Sequence, residues 1–301
     1  MPFALCSVPW AMTIVYSPGY GIDIGPHVFP TQKYRLVREC FADQPTVDPE
    51  PATWDQLALV HTHEYLDKLR LGAMTAEDVR QLELPWSAEM VEAFRLMVGG
   101  TITAAESALR KPHSAIHIGG GLHHAFPNHG EGFCPFNDVA VAARVLQQRG
   151  VERIAIVDLD VHHGNGTAFI FESDPRVFTF SMHQQHNYPM WKPRGTLDVG
   201  LADGTHDARY LEALERALPR VLAHHPQCVF YLAGADPYED DQLGGLKLTK
   251  EGLRRRDRMV IDAARDANLP LVITLAGGYA RRLEDTVAIH SATIEEALSR
   301  A

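Results

Sequence analysis

Arg153-Ile-Ala-Ile-Val-Asp158-Leu-Asp160-Val-His162-His-Gly164-Asn165-Gly166-Thr167 is the stretch on which the reading of the fold turns. A continuous apolar run leads straight into Asp158, Asp160 and His162. Their i, i+2, i+4 spacing puts all three on one face of an extended chain. A run without alternation suits a strand covered on both faces, as in a parallel sheet. Ending such a strand with two carboxylates is costly unless a cation or hydrogen bonds compensate. A carboxylate and an imidazole two residues apart can chelate one divalent metal. Gly164 and Gly166 permit a tight turn into a helix.

The same grammar recurs on both sides of this stretch. Strands are expected at Met12–Tyr16, Leu57–His61, Ser114–Gly119, Arg153–Asp160, Val177–His183, Cys228–Gly234 and Leu269–Ala276. Helices are expected at Lys33–Phe41, Ser87–Leu109, Asn137–Gln148, Asp207–Ala223, Lys250–Ala267 and Arg281–Leu298. The alternation predicts an α/β chain with a mostly parallel central sheet and helices on both faces. No linker or repeat interrupts it, so residues 1–301 read as one domain. In such sheets ligands bind beyond the carboxyl ends of the strands.

Three further strand ends carry unusual residues. Gly119-Gly-Gly121 delivers the adjacent pair His123 and His124, which suit ligands or a general base with an electrostatic partner. Cys228-Val-Phe-Tyr-Leu-Ala-Gly-Ala-Asp236 sets Asp236 just past a buried run. It would complete an Asp160/His162/Asp236 set, three ligands with open positions, the pattern of a catalytic metal site. Asp240 and Asp241 are rival ligands that read more simply as loop-surface carboxylates. Leu271-Val-Ile-Thr-Leu-Ala-Gly-Gly-Tyr279 presents a phenol able to donate to a developing oxyanion.

Composition bounds the rest. With 46% apolar and 22% charged residues the chain is of ordinary globular type. No apolar run is long enough to span a bilayer, and the first residues carry no basic leader. The net charge of -10 disfavours nucleic acid as a partner. Four scattered cysteines without CxxC suit a reducing cytoplasm rather than a disulfide or thiolate scaffold. The remaining histidines, His61, His63, His113, His117, His206, His224, His225 and His290, read as core or surface. Arg254-Arg-Arg256 reads as a solvated helix face, and Cys134 as inert packing.

Together GGGLHHA (119–125), GFCPFND (132–138), VDLDVHHGNGT (157–167), GADPYEDDQLGGL (234–246) and GGY (277–279) resemble the histone deacetylase family, with its arginase/deacetylase fold. The resemblance runs from Tyr16-Ser-Pro-Gly-Tyr20 to Tyr279. Leu84-Pro-Trp-Ser87, His186-Asn-Tyr-Pro189 and Asp241-Gln-Leu-Gly-Gly-Leu246 look most like class IV and its bacterial relatives.

The resemblance implies one zinc ion on Asp160, His162 and Asp236, with iron(II) as a substitute. It implies tandem histidines at His123 and His124, oriented by Asp158 and Asn165, and an electrophilic Tyr279. Gly132 and Phe133 would wall an acyl channel, opposite Tyr188 or Trp191. Asp158, Asp160, His162 and Ser181 would line a K+ or Na+ site. The implied reaction is hydrolytic removal of acetyl or longer acyl groups, long fatty-acyl groups included, from the side-chain amine of lysine in proteins by metal-activated water. An acylated small amine such as an acetylpolyamine is the alternative substrate. Gly164 occupies the position where an arginase-like dimanganese enzyme carries a further Asp, which argues against that chemistry. A catalytically dead acyl-lysine reader is the non-enzymatic alternative, disfavoured by the full ligand set and Tyr279. The Asp that clamps substrate backbone in many members has only a loose counterpart, Glu83.

Overall fold

The computed structural model describes residues 12–110 and 114–300; Cys6, His113 and the residues read for a leader lie outside them. The strands are β1 (Met12–Val15), β2 (Thr46–Val47), β3 (Ser114–His117), β4 (Ile154–Asp158), β5 (Val177–Gln184), β6 (Leu197–Leu201), β7 (Cys228–Leu232) and β8 (Leu271–Thr274). They form one eight-stranded sheet in the order β2-β1-β3-β8-β7-β4-β5-β6, every neighbouring pair parallel. In β3, β4, β7 and β8 every residue is buried, as their unbroken apolar runs require.

The helices are α1 (Lys33–Glu39), α2 (Trp54–Leu57), α3 (His63–Leu71), α4 (Ala76–Leu82), α5 (Ala88–Leu109), α6 (Asp138–Gln148), α7 (Asn165–Phe171), α8 (Asp207–Leu222), α9 (Lys250–Asp266) and α10 (Leu283–Leu298). Helix α5 packs on β1, β3, β8 and α6, while α8, α9, α10 and α1 pack successively on one another. Side-chain caps set several starts: Ser87 accepts from Met90 N–H ahead of α5, and Thr249 from Gly252 N–H ahead of α9.

The stretch expected as a strand at Leu57–His61 is instead the end of α2 and the turns after it. Thr53 and Gln56 close a capping box that commits the chain to a helical turn, and Leu59, Val60 and His61 continue with turn hydrogen bonds. The structure also adds the edge strands β2 and β6 and the helices α3 and α4, none of which were expected.

Topology explains why distant motifs meet. The strands that end in unusual residues are β3, β8, β7 and β4, and they are contiguous at the centre of the sheet. Their carboxyl ends therefore open onto one place.

Candidate active site

Asp160 and His162 follow β4, and Asp236 follows β7. Their donor atoms lie within 4.8 Å of one another, and all three residues are buried. His162 Nδ1 is 3.0 Å from Asp160 Oδ1 and 3.4 Å from Asp236 Oδ2. The main chain holds the carboxylates from outside. Asp160 Oδ2 accepts from Gly277 N–H at 2.8 Å, and Asp236 Oδ1 from Val161 N–H at 2.8 Å.

The group fits a divalent ion on three counts. Asp236 Oδ2 is buried without a hydrogen-bond partner. Burial, then the neighbouring Asp160 charge, push Asp236 up to about 7, the response of two buried carboxylates with no cation between them. The space beside them is kept open by Gly277, where a Cβ would stand 2.1 Å from Asp236 Oδ2 and 2.5 Å from Asp160 Oδ2. Two carboxylates and an imidazole suit zinc or another divalent transition metal.

The loop after β3 carries the tandem histidines. His123 Nδ1 is 2.7 Å from Asp158 Oδ2, and His124 Nδ1 is 2.7 Å from Asn165 Oδ1; the two Nε2 atoms are 3.1 Å apart. Burial opposes charge on His123, but Asp158 and Asp160 outweigh it and hold its pKa up to about 9. His124 goes the other way. Burial, then the charges of His123 and His162, keep it well below the ordinary imidazole value.

Two residues that sequence reading passed over hold this loop. Asp138 accepts from Gly121 and Leu122 N–H at 3.0 and 2.7 Å. Asn137 caps α6 and donates to His123 and Ala125 carbonyls at 3.3 and 3.4 Å. An Asn-Asp pair at a helix start was the available signal.

Tyr279 follows β8, and its backbone is clamped at both ends. Asp241 Oδ2 accepts its N–H at 2.7 Å, and Gln242 Nε2 donates to its carbonyl at 2.9 Å. Asp241 is 7% exposed and also accepts from Leu243 and Gly244 N–H. It is thus a buried anchor and not the surface carboxylate expected, because three backbone N–H groups compensate its charge. Asp240, whose side chain is 46% exposed and lies 3.4 Å from Arg281, matches its expectation. Burial, then Asp160 and Asp236, raise the Tyr279 hydroxyl well above its usual pKa, so it stays a donor.

A channel of about 200 Å3 runs down to these groups, lined by Glu83, Gly132, Phe133, Asn187, Tyr188 and Leu243 above His124, His162 and Tyr279. Gly132 needs its glycine: φ is +52°, and a Cβ would meet His124 Cδ2 at 2.7 Å. Tyr188 and Phe133 both line the channel. Trp191 turns away, stacks on Phe126 at 5.6 Å and stays 60% exposed. Below the channel a chamber of about 20 Å3 is lined by Phe29, Tyr34, Leu122, Cys134 and Ala276 among others. Glu83, the loose candidate, does reach the mouth, placed by its left-handed φ of 59° at the end of α4.

Ser181 lies opposite Asp158 across β4 and β5, with its hydroxyl 3.0 Å from His183 Nδ1. Burial raises the Cys134 thiol pKa well above its usual value, which suits inert packing. His61, His117 and His290 are buried, while His63, His206 and His225 are exposed.

Arg256 is not on a solvated face. It is fully buried, donates to Gly234 O at 2.6 Å and pairs with Asp257 at 2.8 Å. Its guanidinium reaches the Leu159 and Gly234 carbonyls just past β4 and β7, where it steadies the segment leading to Asp236. Lys33, also fully buried, donates to Ala276 O at 2.7 Å, with its ammonium 5.8 Å from the Tyr279 ring.

Fold and site together define a metal-dependent hydrolase of the arginase/deacetylase type. The histone deacetylase domain matches residues 27–294. An uncharacterised protein of Picosynechococcus sp. is 44% identical over 92% of this chain and 95% of its own. Histone deacetylase 2 of Arabidopsis thaliana is 33% identical over 92% of this chain and 77% of its own. A crystal structure of a histone deacetylase homologue complexed with SAHA superposes with a TM-score of 0.82, covering 97% of this chain and 85% of that one at 24% identity. The chain belongs to the histone deacetylase family, whose members are zinc-dependent hydrolases. No helix among the described residues is long and apolar enough to cross a membrane.

Proposed function

We propose that this chain removes short acyl groups, acetyl above all, from the side-chain amine of protein lysines. The observation that carries the reading is the channel. Its Phe133, Tyr188 and Leu243 walls suit the methylene stem of lysine, and it ends on His124, His162 and Tyr279. The chamber beyond is the tight end of the site, about 20 Å3 against about 200 Å3 for the channel. That volume supports acetyl over octanoyl or myristoyl. Glu83 at the mouth is placed to accept a substrate N–H.

Asp160, His162 and Asp236 would hold the divalent ion, zinc in this family. Bound there, it supplies Lewis-acid activation of the scissile carbonyl and of the attacking water. The chain's own groups do the rest. Tyr279 donates its hydroxyl proton as a hydrogen bond to the carbonyl oxygen, which gains charge as water adds; one such donor is typically worth about 3–4 kcal/mol. His124, kept neutral by its surroundings, takes the water proton and returns it to the departing amine. His123, paired with Asp158, stands beside it as a positive charge. The monovalent-cation site at Asp158, Asp160, His162 and Ser181 and the class IV assignment stay part of this proposal; both rest on the sequence motifs.

The test is kcat/KM of the zinc-loaded protein on one lysine peptide carrying acetyl, octanoyl or myristoyl, beside acetylspermidine, with Asp160→Ala as control. Acetyl-lysine as the best substrate is expected. Preference for acetylspermidine would move the substrate to polyamines, preference for myristoyl would refute the chamber argument, and no turnover would refute the enzyme.

A further inference from the structure

Glu131 hydrogen-bonds none of the metal ligands, and one residue, Asn165, stands between it and His124. The residue precedes the channel glycine, and its side chain is 16% exposed. Its Oε1 accepts from Asn165 Nδ2 at 2.8 Å and from the Tyr188 hydroxyl at 3.0 Å. Its Oε2 lies 3.4 Å from His129 Nε2. Burial works against its charge, but the His129, Asn165 and Tyr188 hydrogen bonds outweigh it and hold the carboxyl below its usual pKa, so it is ionised at neutral pH.

An ionised carboxylate has no proton to give. The side of the Asn165 amide that faces it must be the NH2. The amide carbonyl then faces the other way, toward His124 Nδ1 at 2.7 Å. A carbonyl only accepts, so Nδ1 must carry the hydrogen. A neutral imidazole has one such hydrogen, and Nε2 is left with its lone pair. That lone pair points to the place where His123 Nε2 approaches at 3.1 Å. Each link forces the next, and the first is the charge on Glu131. Asn165 alone cannot do this, because an amide offers a donor and an acceptor of nearly the same shape.

We propose that Glu131 is a positioning residue, whose carboxylate orients the Asn165 amide and thereby fixes the tautomer of His124 that leaves Nε2 able to take a proton. The inference rests on the reading of His124 as the base. Glu131 also bonds Tyr188, whose ring meets His124 edge-on with centroids 5.0 Å apart. The same carboxylate therefore joins the channel wall to the base.

A reciprocal exchange tests it. Glu131→Gln keeps the shape but gives the Asn165 amide either orientation. Asn165→Asp sets two carboxylates against each other. In the double variant, the introduced amide NH2 at position 131 can donate to the introduced carboxylate at position 165, which replaces the lost Asn165 donation. That carboxylate again offers His124 only an acceptor. In a Ser-His-Asp triad, the Asp→Asn exchange that strands histidine in the wrong tautomer costs about 10⁴ in kcat. Here the change acts one residue further out and leaves the correct orientation accessible, so about 10- to 100-fold in kcat is expected for Glu131→Gln, with KM nearly unchanged. The double variant should recover to within about tenfold of the parent, better than either single change.

The second readout is the 15N spectrum of histidine-labelled, zinc-loaded protein, with His124 assigned through a His124→Gln variant. The parent should show a protonated Nδ1 and a bare Nε2 at His124, and Glu131→Gln a mixture. An unchanged tautomer in Glu131→Gln, or a double variant worse than both singles, would overturn the proposal. If the parent turns over no acylated amine, the reading of His124 as base falls, while the spectrum still decides what Glu131 does.

Discussion

Asp241→Asn separates the anchoring of Tyr279 from everything else near the metal ligands. The carboxylate accepts at both ends, from Tyr279 N–H at 2.7 Å on one oxygen and from Leu243 and Gly244 N–H at 2.8 and 2.9 Å on the other. An amide has one oxygen. Whichever way it turns, an NH2 group faces an N–H group. Turning the NH2 toward Tyr279 sacrifices one bond rather than two, so the Tyr279 end is the one released. A lost bond from a buried N–H to a charged acceptor is worth about 1.5–3 kcal/mol. Complete removal of an oxyanion donor sets the ceiling at about 10²–10³ in rate. Gln242 still holds the Tyr279 carbonyl, so the expected loss in kcat/KM on acetyl-lysine peptide is about 10- to 50-fold, near the lower end of the bond energy. The assay is a double-mutant cycle with Tyr279→Phe. With no hydroxyl to aim, Asp241→Asn should cost less than about threefold. An equal cost in both backgrounds would refute the reasoning and place the effect on Asp236, which the Asp241 charge also reaches.

Two further outcomes follow from the geometry. Gly277→Ala would put a methyl 2.1 Å from Asp236 Oδ2 and 2.5 Å from Asp160 Oδ2; zinc content after dialysis should drop at least about tenfold, and full zinc retention would contradict the site. Glu296 is held down to about 2, first by its hydrogen bonds to Arg258, with Arg254 and Arg300 adding to them. Its pKa is lower folded than unfolded, so the stabilisation is complete above about pH 4.5 and fades as pH falls toward 2. Glu296→Gln should cost about 1–2 kcal/mol in urea melts at pH 7, after screening by solvent around the part-exposed arginines, and the difference should shrink below pH 4.5; a gap independent of pH would contradict it.

The strand ends were legible because each joins an unbroken apolar run to a polar residue with no reason to be buried. Asp160, His162, Asp236, His123, His124 and Tyr279 all announce themselves that way. The residues that hold them do not. Asp138 finds its partners at Gly121 and Leu122, Asp241 at Tyr279, and Arg256 at Gly234. Such pairings span 16 to 38 residues of chain and leave no local pattern. Arg256 hid inside a charged run on an amphipathic helix, where only the rotation of α9 decides which arginine is buried. Leu57–His61 misled because five apolar-rich residues fit a strand by length, whereas the deciding signal, the Thr53/Gln56 box, sits before the run. The edge strands were invisible for another reason: β2 is two residues long, and β6 buries only its ends.

The central position of β7 and β8 has a consequence for the birth of the molecule. Strand β3 pairs with β1 on one side and β4 with β5 on the other, and the last two strands enter between them. Until residue 274 has emerged, the nascent sheet is two halves with facing open edges. The tandem histidines stand on one side of that slot and His162 on the other, while Tyr279 arrives with the strand that fills it. From the end of β4 to the end of β8 is roughly 115 residues, about 6 to 23 seconds of synthesis at roughly 5–20 residues per second. For that interval the chain carries a divided site and bare apolar strand edges. The ribosome therefore releases catalysis and aggregation resistance together, at the closing of one gap.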